Sequence, residues 1–275
     1  MILLLAVVAG ALIGLSLGAL GGGGSILAVP VLVYALGQSP AQATSGSLVV
    51  VEVTSLVGAA SAHAAGNVLL ARGVAFGVVA IGGAVVGARA SAAVAESVLL
   101  GSFAVLMLVV GVLLAVRQWR GRRETPDGTH ARRPLLDDPI ITFSPTFACQ
   151  CPRALKVLVT ATAVGLLTGF LGVGGGFLVV PALLVAMSLP MAYAAGTSLV
   201  VITVTSAVAL LVRAGSGVAP DWGVVVALTS AAALAAIIGV RLADRVDTRR
   251  LSAVFTALVL VVAGYTAVQA MPALV

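Results

Sequence analysis

Two glycine clusters carry the chemistry this sequence offers. "GALGGGGS" (18–25) and "GFLGVGGGF" (169–177) each interrupt a long apolar run. Glycine costs roughly 1 kcal/mol per helix position relative to alanine, so a cluster of glycines breaks a helix. Inside a bilayer, unwound backbone persists only where it is buried in protein or lines a polar cavity. Such a break leaves N–H groups free at the start of the next half-helix, where the partial positive charge suits an anion. Neither cluster is a phosphate loop, because no Lys-Ser/Thr follows the last glycine. The candidate anion-holding backbone is Gly22, Gly23, Gly24 and Ser25 in the first cluster, and Gly174, Gly175 and Gly176 in the second. Close helix packing through small residues is the competing reading.

A hydroxyl-rich segment follows each cluster, "ATSGSLVVVEVTS" (43–55) and "AAGTSLVVITVTS" (194–206). Spacings of seven and eight put Ser47, Thr54 and Ser55 on one helical face. Ser47, Thr197 and Ser198 stand at helix starts and are candidate donors to an oxyanion, without adding a formal charge. The alternative role is interhelical hydrogen bonding, worth about 0.6 kcal/mol per contact in membranes.

Glu52 is an ionisable residue in mid-segment, and its counterpart in the other hydroxyl segment is Thr203. A carboxylate at membrane depth is a functional-site hypothesis by default. Glu52 is therefore the candidate for proton coupling, against a protonated carboxyl that merely bonds a neighbouring helix. His63 reads as interfacial, and Arg72, Arg89, Arg213 and Arg241 fall at segment ends, where snorkelling is the expected behaviour. Cys149 and Cys151 form a "CQCP" element with no further Cys or His to complete a zinc site, so no metal and no cofactor are expected.

The elements that must position these groups follow from composition. Of 275 residues, 61% are hydrophobic and 9% charged, against about 25% charged in soluble domains. A membrane span needs about 20 apolar residues. Eight hydrophobic segments appear, near 2–37, 41–65, 73–90, 97–117, 155–187, 191–213, 222–242 and 250–270. The N-terminal run lacks a basic leader and is too long for a signal peptide. The +6 net charge reflects arginines in connections rather than nucleic-acid binding, and the main basic connection is expected to be cytoplasmic.

The sequence repeats itself at an offset of 151 residues, pairing Gly14, Gly18, Gly21, Gly23, Gly24 and Pro30 with Gly165, Gly169, Gly172, Gly174, Gly175 and Pro181. The expected fold is an all-α polytopic membrane protein with two homologous four-segment halves, 1–117 and 154–275, joined by a polar basic linker, 118–153. The first segment of each half is broken at its glycine run. Such duplication is typical of secondary transporters. Four crossings per half put the basic stretch 241–250 opposite the linker. Five per half, with each broken segment crossing and returning, would invert the repeats and put both basic stretches in the cytoplasm.

With the repeated G-x-G-G-G-x-x-x-x-P element and the "GTS" at 196–198 in view, the chain resembles the TauE/SafE sulfite exporter family, also called the toluene sulfonate uptake permeases. The second half fits best, through "GLLTGFLGVGGGFLVVPALL" and "AAGTSLVVI"; the first half departs at Gly22, Ser25 and "TSGS". The resemblance implies a multi-pass inner-membrane transporter, not an enzyme, that exports small sulfur-containing anions such as sulfite or organosulfonates. Expected partners are the anion and the lipid bilayer, with homo-oligomerisation compatible and no nucleic acid. The rival readings are an anion channel with re-entrant glycine loops and an intramembrane sulfur-handling enzyme using Cys149 and Cys151.

Overall fold

The computed structural model describes residues 2–91, 93–94, 96–121, 151–172, 176–187, 189, 191–214, 220–243 and scattered residues between 253 and 264. The linker readings at 122–150, including Cys149, and most of the eighth segment lie outside the described residues. So do Gly174 and Gly175.

The described chain is helical. In order it forms α1 (Ile2–Leu20), α2 (Ser25–Pro30) continued by a π-helical turn (Val31–Ala35), α3 (Pro40–Ala64), α4 (Leu70–Ser91) and α5 (Glu96–Gly121). Then come α6 (Cys151–Leu171), α7 (Gly176–Ala186), α8 (Met191–Ala214) and α9 (Trp222–Ala243). Among the described residues, five helices are long and apolar enough to cross a membrane: Leu3–Leu20, Pro40–Ala64, Leu70–Ser91, Tyr193–Ala214 and Trp222–Ala243. Exposed valines and leucines such as Leu4, Val78, Val105, Leu211 and Leu234 form the outer surface, as a lipid environment allows. The protein is a multi-pass helical membrane protein.

Local sequence fixes the helix starts. Ser39 caps α3 by accepting from the Gln42 amide at 3.3 Å, Gln42 Oε1 accepts back from the Ser39 amide at 3.4 Å, and Pro40 takes the first helical position. Asp221 Oδ1 accepts from the Gly223 amide at 3.0 Å at the start of α9. Pro30 and Pro181 lie inside α2 and α7, and the π-helical turn follows directly on Pro30. A proline removes one backbone donor from the helix ladder.

Packing gives the direction of each helix. Gly10, Gly14 and Gly18 of α1 pack on Leu228, Ala232 and Ala236 of α9, advancing together, so the two helices are parallel. Gly83 and Gly87 of α4 meet Thr162 and Leu166 of α6 in the same sense. Gly73 lies on Thr197 and Val200 and Gly77 on Val204, so α4 also runs parallel to α8. In contrast, Ser55 meets Thr203 while Gly58 meets Leu199, so α3 and α8 are antiparallel. These small residues let the backbones approach closely, which is how apolar helices gain van der Waals contact in lipid.

Gly46, near the start of α3, sits on Val225 at the start of α9. Gly21, at the end of α1, sits on Ala195 of α8, which lies beyond Leu199 and so beside the end of α3. Helices α1, α3 and α9 therefore run one way, and α4, α6 and α8 the other. The chain must travel back between Leu20 and Pro40, and α2 with its π-helical turn makes that return. At 1.5 Å per residue α1 spans about 28 Å and the return piece about 16 Å. The run 2–37 is thus a helical hairpin folded at the glycines, and α6–α7 folds the same way from the opposite direction.

Candidate functional site

The tips of the two hairpins meet. A Cβ placed on Gly176 would lie 2.9 Å from Gly22 Cα and 2.7 Å from Ser25 Oγ, so only glycine permits this approach. Residues 21–25 are wholly buried, as is Gly176. Both hairpins turn on a glycine in the left-handed region, Gly21 at φ +71° and Gly172 at φ +63°. The Gly21 amide donates to Leu17 at 2.9 Å and the Gly172 amide to Thr168 at 3.0 Å, closing α1 and α6 with matching caps.

The tip backbone is shaped by few internal bonds. Ser25 Oγ donates to Gly22 O at 2.8 Å, and the Ser25 amide returns to the same carbonyl at 3.2 Å. The Leu27 amide donates to Gly24 O at 3.1 Å. The amides of Gly22, Gly23 and Gly24 find no acceptor among the described residues. Three successive buried N–H groups at the head of a helix are a ready set of donors for an anion.

Of the hydroxyls expected at the site, those of Ser47 and Ser198 hold the tips. Ser47 of α3 donates to Gly172 O at 2.6 Å and to Thr44 O at 2.9 Å. Ser198 of α8 donates to Gly21 O, and to Ala195 O at 2.7 Å. Each serine thus holds the tip of the hairpin that enters from the other side. In this conformation their protons go to carbonyls, and the two serines act as tethers. Thr197 Oγ1 accepts from the Leu69 amide at 3.1 Å, joining α8 to the α3–α4 turn rather than facing the tips.

Glu52 lies at the α3–α8 crossing, one turn before Ser55, whose Oγ is 3.0 Å from Thr203 Oγ1. Its Oε2 is buried with no hydrogen-bond partner among the described residues, as are Thr54 Oγ1 and Ser206 Oγ. A buried carboxyl oxygen left unpaired is costly.

Sequence reading missed one residue. Arg213 does not snorkel outward from the end of α8. Its Nη2 turns inward to Ser91 Oγ at 2.7 Å, Gly169 O at 3.1 Å and Phe170 O at 3.3 Å. The cause is the negative end of the α6 dipole and its unpaired terminal carbonyls, which attract a cation. The available signal was an asymmetry: at the 151-residue offset Arg213 pairs with Ala62, which has no charge to snorkel.

Sequence comparison matches residues 6–266 to the family described as Sulfite exporter TauE/SafE. The chain belongs to the TauE/SafE family. A probable membrane transporter protein of Xylella fastidiosa strain 9a5c is 32% identical over 270 residues, covering 96% of this chain and 94% of the relative. A second one, from Xylella fastidiosa strain Temecula1, is 34% identical over 201 residues, covering 73% of this chain and 69% of the relative. No solved structure matches significantly. This TauE/SafE protein is a membrane transporter, not an enzyme.

Proposed function

We propose that this TauE/SafE protein is a secondary exporter of small sulfur-containing anions, such as sulfite or organosulfonates, in the cell inner membrane. The anion sits where the hairpin tips meet, on the amides of Gly22, Gly23 and Gly24 beside Ser25 from one side and of Gly174, Gly175 and Gly176 from the other. The observation that carries this reading is the contact of Gly176 with Gly22 and Ser25, which brings the two breaks to one buried place. Ser47 and Ser198 contribute hydroxyls around it, whereas Thr197, bonded to the Leu69 amide, stands aside. Ser47 and Ser198 trade their carbonyl acceptors for the anion when a tip shifts.

The halves 1–117 and 154–275 are read as inverted repeats. Five passes each, counting the hairpins as two, put the basic linker 118–153 and the basic stretch 241–250 on one side, which is the cytoplasm. Antiparallel α3 and α8 cross at the axis that relates them, with Ser55 and Thr203 in contact there. Access alternates as one half rocks on the other. The sequence has no ATP-binding motif, so an ion gradient or the substrate's own gradient drives transport. Glu52 carries the proton if protons couple, because its unpaired oxygen lies at the moving α3–α8 contact.

The test is sulfite flux into proteoliposomes, with sulfate and thiosulfate as competitors. Saturable flux that a proton gradient drives uphill supports a carrier, whereas flux that neither saturates nor concentrates sulfite indicates a channel.

A further inference from the structure

Several contacts of one hairpin tip have counterparts at the other, and one described contact that does not is charged. Both tips have a left-handed glycine, an amide cap on the preceding turn and a serine tether from the opposite half. Among the described residues, only the Gly172 tip has a guanidinium. Arg213 Nη2 joins Gly169 O and Phe170 O of α6 to Ser91 Oγ of α4, and Ser91 in turn donates to Ala88 O at 2.9 Å. Three helices are tied at that end.

The corresponding positions at the Gly21 tip cannot do this. Ala62 stands opposite Arg213, and because Gly87 and Arg89 match Gly239 and Arg241 at an offset of 152, Ala243 stands opposite Ser91. Gly18 and Ala19 are the counterparts of Gly169 and Phe170, and among the described residues no side chain donates to their carbonyls. Hydrogen bonds from a charged donor are roughly twice as strong as neutral ones, and a low-dielectric surrounding strengthens them further.

We propose that Arg213 is a positioning residue that fixes the Gly172 tip and makes the two faces of the carrier unequal. The Gly21 tip loosens during turnover, and the Gly172 tip stays in place. The inference rests on reading the tips as the anion site, but its structural part holds for any substrate.

The test is amide hydrogen exchange of the full-length protein in lipid nanodiscs without substrate, comparing the last turn of α6 (169–172) with the last turn of α1 (18–21). In the wild type, 169–172 exchanges about tenfold more slowly than 18–21, as local opening is charge-tethered there. Arg213→Gln brings the two turns to within about threefold and leaves 18–21 unchanged, whereas Arg213→Lys retains part of the difference. Ser91→Ala keeps the guanidinium and speeds 169–172 by a smaller factor, so it gives the same answer if Arg213→Gln does not fold. In proteoliposomes, Arg213→Gln also shifts the sulfite half-saturation on one membrane face more than on the other. Equal protection of the two turns in the wild type, or unchanged exchange at 169–172 in Arg213→Gln or Ser91→Ala, overturns the proposal. Absence of sulfite flux with the predicted exchange pattern rejects sulfite and keeps the asymmetry.

Discussion

The hydroxyl of Ser47 reaches the carbonyl of Gly172 at 2.6 Å across 125 residues of chain. The equivalent pair, Ser198 and Gly21, joins the other hairpin tip to the opposite half. The tips are therefore held from outside, by helices that do not belong to the hairpins themselves. A movement of α3 or α8 is felt directly at the break that each one tethers.

Ser47→Ala and Ser198→Ala each leave a buried carbonyl without its donor, which costs about 1–3 kcal/mol. Thermal unfolding in detergent should show both variants less stable than the wild type, by similar amounts. An unchanged melting temperature for either would mean that the tether adds nothing to the fold.

Gly21 and Gly172 differ in what a methyl group would meet. At Gly21 it strikes the backbone of Ala195, while at Gly172 it strikes the side chain of Thr44. Both positions also have positive φ, so alanine is strained at each. Gly21→Ala should be the more damaging to yield and stability. Thr44→Ser, which removes the struck methyl, should partly restore Gly172→Ala; no restoration would show that the backbone angle alone limits that site.

Glu52→Gln preserves shape and removes the titratable proton. Transport by the wild type should vary with pH, and by Glu52→Gln much less. A pH profile unaltered by the substitution ends the assignment of proton coupling to Glu52.

The cysteines of the "CQCP" element stand apart from the tips in sequence. Cys149→Ser with Cys151→Ser should transport at wild-type rates in a reducing or oxidising buffer. Loss of flux would return a sulfur-handling role to the pair.

Much of the fold was legible in the sequence, because apolar runs ended by glycine, proline and charge give helix limits directly. The runs 41–65, 73–90, 191–213 and 222–242 match α3, α4, α8 and α9 within a few residues. The break at Gly21–Gly24 was legible too, since four glycines end a helix in any surroundings. Whether the chain then crosses on or turns back stays open in the sequence, because direction is decided by which side chains meet, as Ser55 meets Thr203 and Gly18 meets Ala236. The serines were chosen for a ligand, whereas the structure gives their protons to Gly21 and Gly172 carbonyls. Arg213 was misread because an arginine at a helix end usually reaches for water, and nothing local revealed the end of α6 beside it.

The central claim is that the anion rests on the backbone of the two hairpin tips. The most direct measurement is sulfite uptake into proteoliposomes containing wild type, Gly23→Leu or Gly174→Leu, each verified to insert and remain monodisperse. The account predicts saturable uptake by the wild type and none by either variant. Uptake by the variants at the wild-type rate and half-saturation would contradict it.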